Sequence, residues 1–138
     1  MNVLNQLVNI YETKEKWHRT KLSQEEAEKY FQKVLEEGNL AFNTDERGMV
    51  NGILEWYCVN NEQFERLVNG GEFHIAEEDI KTGNICYVMD AWIEKSCRMK
   101  DVYKSLKKRL FEQTKHCKYY AGLEVKRGRR LRIFKKGE

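Results

Sequence analysis

A long apolar strand signal that runs straight into a basic amphipathic helix restricts the fold of this chain more than any other feature. Residues 84–93 contain the run ICYVMDAWI, which is long enough and rich enough in β-branched and aromatic residues to form a central strand. Residues 101–114 then place apolar side chains at helical spacing and lysines on the other face. Two further strands are predicted at 119–125 and 131–134. This order predicts an α+β domain in which helices flank a sheet.

The first half of the chain begins with two predicted helices. Residues 3–11 have an amphipathic pattern, and residues 24–37 repeat apolar side chains at helical spacing. Ser23 and Glu26 form a capping-box pair at the start of the second helix. Gly38 stands where a left-handed C-cap belongs.

The hydrophobic period then changes to that of β structure. Residues 40–44 and 49–59 are rich in β-forming residues and flank the turn sequence DERG at 45–48, so we predict a β-hairpin. Gly52 inside the second strand indicates a bulge or a close approach by another part of the chain. A short helix at 61–69 and a short strand at 72–76 are predicted to follow.

Composition and length predict a globular protein with one core. The 138 residues contain no proline, no repeat and no low-complexity linker, so 1–138 is predicted to be a single domain. No apolar run approaches the roughly 18 residues that a membrane-spanning helix needs. The opening residues also lack a signal-peptide pattern, and we therefore expect a cytoplasmic protein.

The cysteines and histidines are scattered along the chain and include no CxxC pair. This spacing gives a zinc site no support, so no metal is predicted. The cysteines are expected to be reduced and mostly buried, and the histidines to be structural or solvent-facing. These residues are Cys58, Cys86, Cys97, Cys117, His18, His74 and His116.

Positive charge is concentrated near the end of the chain. Residues 126–136, KRGRRLRIFKK, are mostly basic and contain no acidic residue. Such a patch attracts phosphate groups or an acidic protein surface. The same charges also suit a solvated edge strand, where they prevent edge-to-edge pairing. The candidate nucleic-acid-binding or partner-binding residues are Arg127, Arg129, Arg130 and Arg132.

One region of the chain resembles the GNAT acyltransferases. In that family a hydrophobic strand residue stands five positions before a loop of Arg or Gln, two residues, Gly, one residue, and Gly or Ala. Ile93 matches the strand residue, and Arg98 matches the Arg or Gln. Val102 matches the position between the glycines, and Leu106 matches the first buried leucine of the helix. The resemblance implies one GNAT-like domain with a mixed, mostly antiparallel sheet, in which the strands on either side of this helix are parallel and splay apart. Compact members of this kind occur in phage genomes.

The resemblance also implies that the protein binds acetyl-CoA. The family's glycines let backbone N–H groups at a helix N-terminus approach and cradle the pyrophosphate. Asp101 and Tyr103 take the places of these glycines, and a carboxylate and a phenol ring there argue against efficient CoA use. Neighbouring basic residues compensate in charge. The cofactor-binding residues predicted on this basis are Ile93, Arg98, Lys100, Val102 and Lys104.

The candidate catalytic residues follow from the chemistry that the resemblance implies. A substrate amine attacks the thioester directly, a carboxylate or a water chain removes the amine proton, and a tyrosine protonates the leaving thiolate. Glu55 and Asp90 are the candidate bases. Tyr119 is the candidate acid, with Tyr120 as its alternative. Each of these residues also has a structural interpretation, because strand carboxylates can point outward and strand tyrosines can belong to a core.

A binding module is the alternative to an enzyme, because a scaffold can persist after its activity is lost. Its support is the basic segment 126–136, the lysine-rich helix face, and three aromatic residues that are predicted to be exposed, Trp56, Tyr57 and Trp92, whose rings can stack on nucleic-acid bases. Aromatic residues in such strands are also typical of a core. The partner would be a nucleic acid or an acidic protein surface. A small structural or inhibitory protein is a third class, which leaves no motif.

Overall fold

The computed structural model describes residues 2–13, 23–94, 99–124 and 130–135, with side chains for 2–11, 23–94 and 101–122. Within these ranges no helix is long and apolar enough to cross a lipid bilayer. The helices and strands of the described ranges are α1 (Val3–Thr13), α2 (Gln24–Glu37), β1 (Leu40–Thr44), β2 (Val50–Val59), α3 (Asn61–Val68), β3 (Ile85–Ile93), α4 (Met99–Gln113), β4 (Tyr119–Glu124) and β5 (Arg130–Lys135).

The strands form one sheet in the order β1-β2-β3-β4-β5. The pairs β1 with β2, β2 with β3, and β4 with β5 are antiparallel, and β3 with β4 is parallel. The parallel pair needs a crossover connection, which α4 supplies by carrying the chain from the end of β3 to the start of β4. The sheet is therefore mixed and mostly antiparallel, which confirms the predicted fold class.

Helices cover both faces of this sheet. One face packs against α1, α2 and α3 through a cluster that includes Leu7, Phe31 and Tyr57. The opposite face packs against α4 through a cluster that includes Trp56 and Leu106. Because successive strand residues point to opposite faces, neighbouring residues of β2 belong to different clusters, and β2 is buried along its whole length.

The end signals predicted for the second helix are confirmed in α2. Ser23 Oγ accepts a hydrogen bond from the Glu26 N–H at 3.2 Å, and the Glu26 carboxylate accepts one from the Ser23 N–H at 3.1 Å. Gly38 ends the helix with a φ of 76°, in the left-handed region. A second capping box, formed by Asn60 and Gln63 at the start of α3, was not identified from the sequence.

The strand predicted at 72–76 is wrong, because that stretch contains no strand. The connection between α3 and β3 is held by side chains and by the edge of β2 instead. Arg66 makes two hydrogen bonds to the Glu78 carboxylate, at 2.8 and 2.9 Å, and this guanidinium lowers the pKa of Glu78 to about 2. The Cys58 N–H donates to the Ile80 carbonyl at 2.7 Å. These contacts hold the connection in place without a strand of its own.

At Gly52 the side chains of α4 pack directly against the backbone of β2. A Cβ atom at Gly52 would lie 2.5 Å from Val102 Cγ1 and 3.3 Å from Leu106 Cδ1. The register of β1 against β2 also shifts beside Gly52. The bulge and the close approach expected from the sequence are therefore both present at this glycine.

We predict that Gly52→Ala destabilises the protein by about 1–3 kcal/mol, because the added methyl group overpacks the contact with the stiff Val102 side chain. Chemical denaturation followed by circular dichroism measures the change. Gly122→Ala is the matched control, since its Cβ would meet Val88 Cβ at an ordinary 3.6 Å. Equal stability of the Gly52→Ala variant and the wild type would contradict this account of how α4 is seated.

Candidate functional site

The parallel pairing of β3 with β4 stops part of the way along both strands. Its last pair is Val88 with Gly122, although β3 continues to Ile93 and β4 to Glu124. The two strands therefore separate toward their C-terminal ends, as the resemblance implied. Ligands of open α/β sheets bind at the C-terminal ends of parallel strands, so this opening is a candidate ligand site.

A β-bulge places two carboxylates next to each other just beyond the last parallel pair. Glu55 pairs with Asp90, whereas the next residue, Trp56, pairs with Val88, so Met89 is the extra residue of the bulge. Side chains directly opposite each other in an antiparallel pair share a face, with Cβ atoms about 4.5–5.5 Å apart. Glu55 is 1% exposed and Asp90 is 5% exposed. The structure thus brings two of the three predicted catalytic residues together in a buried position.

Two buried tyrosines connect Glu55 to α2. The Tyr57 hydroxyl donates to the Tyr30 hydroxyl at 2.5 Å, and the Tyr30 hydroxyl donates to Glu55 Oε1. A buried carboxylate is costly unless it is hydrogen-bonded, so this chain of hydroxyls stabilises Glu55 and fixes its orientation.

Sequence reasoning missed the role of both tyrosines. It assigned Tyr30 to the apolar stripe of the second helix and Tyr57 to a group of aromatics with a stacking role or a core role. One signal was available for Tyr57, which stands two residues after Glu55 on the same strand and therefore on the same face. Nothing local pointed to Tyr30, because its contact with Glu55 joins α2 to β2.

Tyr119 lies away from the two carboxylates. It pairs with Ile85, which is five residues before Asp90 on β3. At about 3.3 Å per residue, this places Tyr119 about 16 Å from Asp90 along the sheet. The alternative acid, Tyr120, is buried on the α4 face, where its hydroxyl lies 2.9 Å from Thr114 Oγ1 and burial raises its pKa. The role of Tyr119 as an acid stays a prediction that this geometry does not favour.

Part of the predicted cofactor site falls outside the described residues. Arg98 lies outside them, and only the backbone of Lys100 is described. Val102 and Ile93 pack in the cluster between α4 and the sheet, so these two side chains support the helix. Lys104 is exposed on α4.

The two residues that replace the family's glycines are both exposed on α4. Asp101 lies in the first turn of the helix. The Tyr103 side chain is 42% exposed, and Lys107 Nζ lies 5.4 Å from the centroid of its ring. The phenol ring therefore interacts with the next turn of its own helix, and Asp101 is the departure that places an unfavourable charge near an anion at the helix N-terminus.

Two of the three aromatic residues that were predicted to stack on bases are buried. Trp56 is 1% exposed and Tyr57 is 2% exposed, so an exposed stacking role for either is wrong and the core interpretation is confirmed. Trp92 is partly buried and packs against the α1 and α2 cluster.

The basic C-terminal segment is described only in part. Arg127 and Arg129 lie outside the described residues, together with the turn predicted around Gly128. Arg130 and Arg132 lie on β5, an edge strand of the sheet that pairs with β4. The edge-strand interpretation of residues 130–135 is therefore confirmed for the backbone.

The cysteines of the described residues do not supply a ready nucleophile at Cys58. Cys58, Cys86 and Cys117 are buried and not in disulfides, as expected, whereas Cys97 lies outside the described residues. A hydrogen bond with Cys117 lowers the pKa of Cys58. A hydrogen bond with Cys86 and burial raise it by more, so the pKa of Cys58 is about 12. Cys58 is therefore a protonated thiol at neutral pH, and thiolate attack from this position is not favoured.

Sequence comparison gives no relative for this chain. No protein-family model matches it, and no curated protein matches it. Similarity to known proteins is therefore found only by comparing structures.

Solved structures do match the fold. A GNAT-like decarboxylase, GphF, in complex with isobutyryl-CoA matches with a TM-score of 0.57 and 12% identity over 87% of this chain and 60% of its own. A putative phosphinothricin N-acetyltransferase matches with a TM-score of 0.53 and 16% identity over 88% of this chain and 65% of its own. An N-acetyltransferase from Staphylococcus aureus Mu50 matches with a TM-score of 0.53 and 11% identity over 88% of this chain and 64% of its own.

These matches show that the chain has a GNAT-like fold. At identities of 11–16% they establish the fold and no more. The chain also spans less than two thirds of the length of each of these three proteins.

Proposed function

We propose that this protein binds an acyl-CoA thioester in the opening between β3 and β4 and transfers the acyl group to an amine. The observation that carries the proposal is the separation of these strands after Val88 and Gly122, directly beside the buried pair Glu55 and Asp90. A GNAT-like neighbour of the same fold is a complex with isobutyryl-CoA, which supports a CoA thioester as the ligand class.

The opening between β3 and β4 fits the acyl-pantetheine part of an acyl-CoA better than the start of α4 fits its pyrophosphate. The separated strands leave their backbones apart beyond Val88 and Gly122, which gives an extended acyl-pantetheine chain a place beside β3. At the start of α4, the exposed Asp101 opposes a pyrophosphate and the exposed Lys104 favours it. We therefore expect weak acyl-CoA binding that Asp101 limits.

Asp90 is the better placed of the two carboxylates to act as the base. It lies on β3, the strand that borders the opening, whereas Glu55 lies one strand further away on β2. An acyl-CoA bound in the opening supplies a thioester carbonyl that is activated toward an amine. The amine nitrogen bonds to this carbonyl carbon and Asp90 accepts the amine's proton; the carbon–sulfur bond then breaks, and CoA leaves as a thiolate that takes a proton from solvent. Glu55 is held opposite Asp90 by the hydrogen bond that it accepts from Tyr30.

The first prediction from this proposal concerns Asp101. Asp101→Asn should tighten acetyl-CoA binding by about fivefold, since removing one charge about 4 Å from a phosphate in water changes the energy by about 1 kcal/mol. The same change should slightly lower the melting temperature, because an acidic residue in the first turn stabilises the helix. Titration calorimetry measures the first effect and a thermal melt measures the second.

Glu112→Gln is the matched control, because Glu112 is an exposed acidic residue of α4 far from its N-terminus. We expect it to leave acetyl-CoA affinity unchanged. If both substitutions change affinity equally, the ligand senses only net charge, and the placement at the start of α4 is wrong. If neither the wild type nor Asp101→Asn binds acetyl-CoA or isobutyryl-CoA, the proposed function is wrong.

The second prediction concerns catalysis. Asp90→Asn should lower the rate of amine-dependent thiol release from acetyl-CoA by about 10²–10⁴-fold, because it removes the proton acceptor and keeps the side-chain shape. Acetyl-CoA affinity should change far less than the rate, since the proposal has Asp90 accept a proton during the reaction and not hold the bound thioester. The assay uses a panel of primary amines, and circular dichroism checks the fold.

Tyr119→Phe tests the alternative placement of the chemistry. Given the separation of about 16 Å along the sheet, we expect this variant to keep most of the wild-type rate. A rate that collapses in Tyr119→Phe and survives in Asp90→Asn would contradict the assignment of the base and move the reacting centre toward the start of β4.

A further inference from the structure

Three metal-ligating side chains converge on the α4 face of the sheet, away from Glu55 and Asp90. Cys58 comes from β2, and His116 and Cys117 come from the turn that follows α4. Cys117 Sγ lies 3.6 Å from Cys58 Sγ and 3.7 Å from His116 Nε2. All three donor atoms lie within 4.8 Å of one another. The GNAT-like fold and the proposed acyl transfer give this cluster no role.

Two of the three donor separations in the cluster are those of a tetrahedral zinc site. Zinc binds thiolate sulfur at about 2.3 Å and imidazole nitrogen at about 2.0–2.1 Å, so neighbouring ligand atoms in a tetrahedron lie about 3.5–3.8 Å apart. The two measured separations, 3.6 and 3.7 Å, fall within this interval. Two sulfur donors and one imidazole also form a donor set that favours zinc over magnesium or calcium.

The turn that carries His116 and Cys117 is fixed by the surrounding structure. The Cys117 N–H donates to the Thr114 carbonyl at 3.0 Å, and Thr114 Oγ1 donates to the Leu110 carbonyl at 2.7 Å. The Lys118 N–H donates to the Asn84 carbonyl at 2.8 Å, which ties the turn to the start of β3. The backbone that carries His116 and Cys117 is therefore held in place before any ion arrives, which lowers the cost of binding.

One side of the cluster faces a cavity of about 460 Å³. Cys58 and His116 both line this cavity, together with Asn39, Lys81 and Thr82. A three-ligand zinc site with an accessible fourth position is the arrangement found in catalytic zinc sites, where water or a substrate completes the tetrahedron. The cavity provides room for such a fourth ligand.

Cys86 is the one further cysteine beside the cluster among the described residues. It is the strand partner of Cys58 across β2 and β3 and is fully buried. It does not belong to the group whose donor atoms all lie within 4.8 Å of one another. The geometry therefore assigns the first three positions to Cys58, His116 and Cys117 and leaves the fourth to the cavity.

We propose that Cys58, His116 and Cys117 bind one Zn²⁺ ion whose fourth coordination position opens into this cavity. On binding, the two thiols release two protons to solvent and form two zinc–sulfur bonds, and no electron is transferred. The sequence prediction of no metal would then be wrong, because it tested only for ligands close together along the chain.

The test uses the full chain, purified in reduced form and titrated with Zn²⁺, and separately with Co²⁺ as a spectroscopic probe. We expect one metal ion per chain by native mass spectrometry, the visible absorption of tetrahedral thiolate-bound cobalt, and a melting temperature raised by zinc. His116→Ala should weaken binding by at least about 100-fold, beyond the range of about 10–100-fold that loss of an outer partner costs. Since His116 is exposed, this variant should remain folded.

Two variants serve as controls. His74→Ala removes another exposed histidine and should leave zinc affinity unchanged. Cys86→Ser should also retain zinc within about threefold, because the site needs only three protein ligands. A loss of zinc in Cys86→Ser as large as in His116→Ala would overturn the open fourth position.

The remaining outcomes overturn the site itself. These are the absence of zinc binding at micromolar concentration, equal zinc affinity of His116→Ala and the wild type, and a Cys58–Cys117 disulfide that forms again after the reductant is removed, even with zinc present. The last result would show that the short sulfur–sulfur distance belongs to a redox pair. Mass spectrometry after thiol labelling distinguishes a disulfide from metal-bound thiolates.

Discussion

The arrangement of the molecule depends on β3, whose two edges pair in opposite senses and over different lengths. Its antiparallel contact with β2 contains the bulge at Met89, and its parallel contact with β4 ends at Val88. The bulge lies just where the parallel pairing ends. Asp90 therefore lies both beside the opening and opposite Glu55. The same strand fixes α4, which must cross from the end of β3 to the start of β4 and is seated on Gly52. A carboxylate pair next to a strand separation is the feature on which the proposed acyl transfer rests.

Most of the fold was predictable because its signals are local. The capping residues around α2 and the β-forming residues that flank the DERG turn act within a few residues, and the run at 84–93 begins with apolar residues because the start of β3 is buried. The strand predicted at 72–76 failed for the opposite reason. That connection is held by Arg66 on Glu78 and by the edge of β2, and such tertiary contacts leave no pattern in a short stretch of sequence.

The candidate sites were predictable only as separate residues. Glu55 and Asp90 were identified one by one, but their adjacency depends on the β2–β3 register and its bulge. Tyr30 reaches Glu55 across 25 positions of sequence, so no motif could reveal that contact. The cluster of Cys58 with His116 and Cys117 was missed likewise, because its donors meet only after β2 and the turn after α4 pack together. Spacing rules detect metal sites built from one local segment and overlook those assembled by the fold.

The central claim, that the separation of β3 and β4 is the acyl-CoA site, is tested most directly by mapping amide chemical shifts in the isotope-labelled protein during titration with acetyl-CoA. The account predicts that the largest shifts fall beyond the last parallel pair, on residues 89–93 of β3 and 123–124 of β4, with smaller shifts in the first turn of α4. Shifts confined to β5, or to the cavity beside Cys58, would contradict it and would place the ligand site elsewhere on the fold.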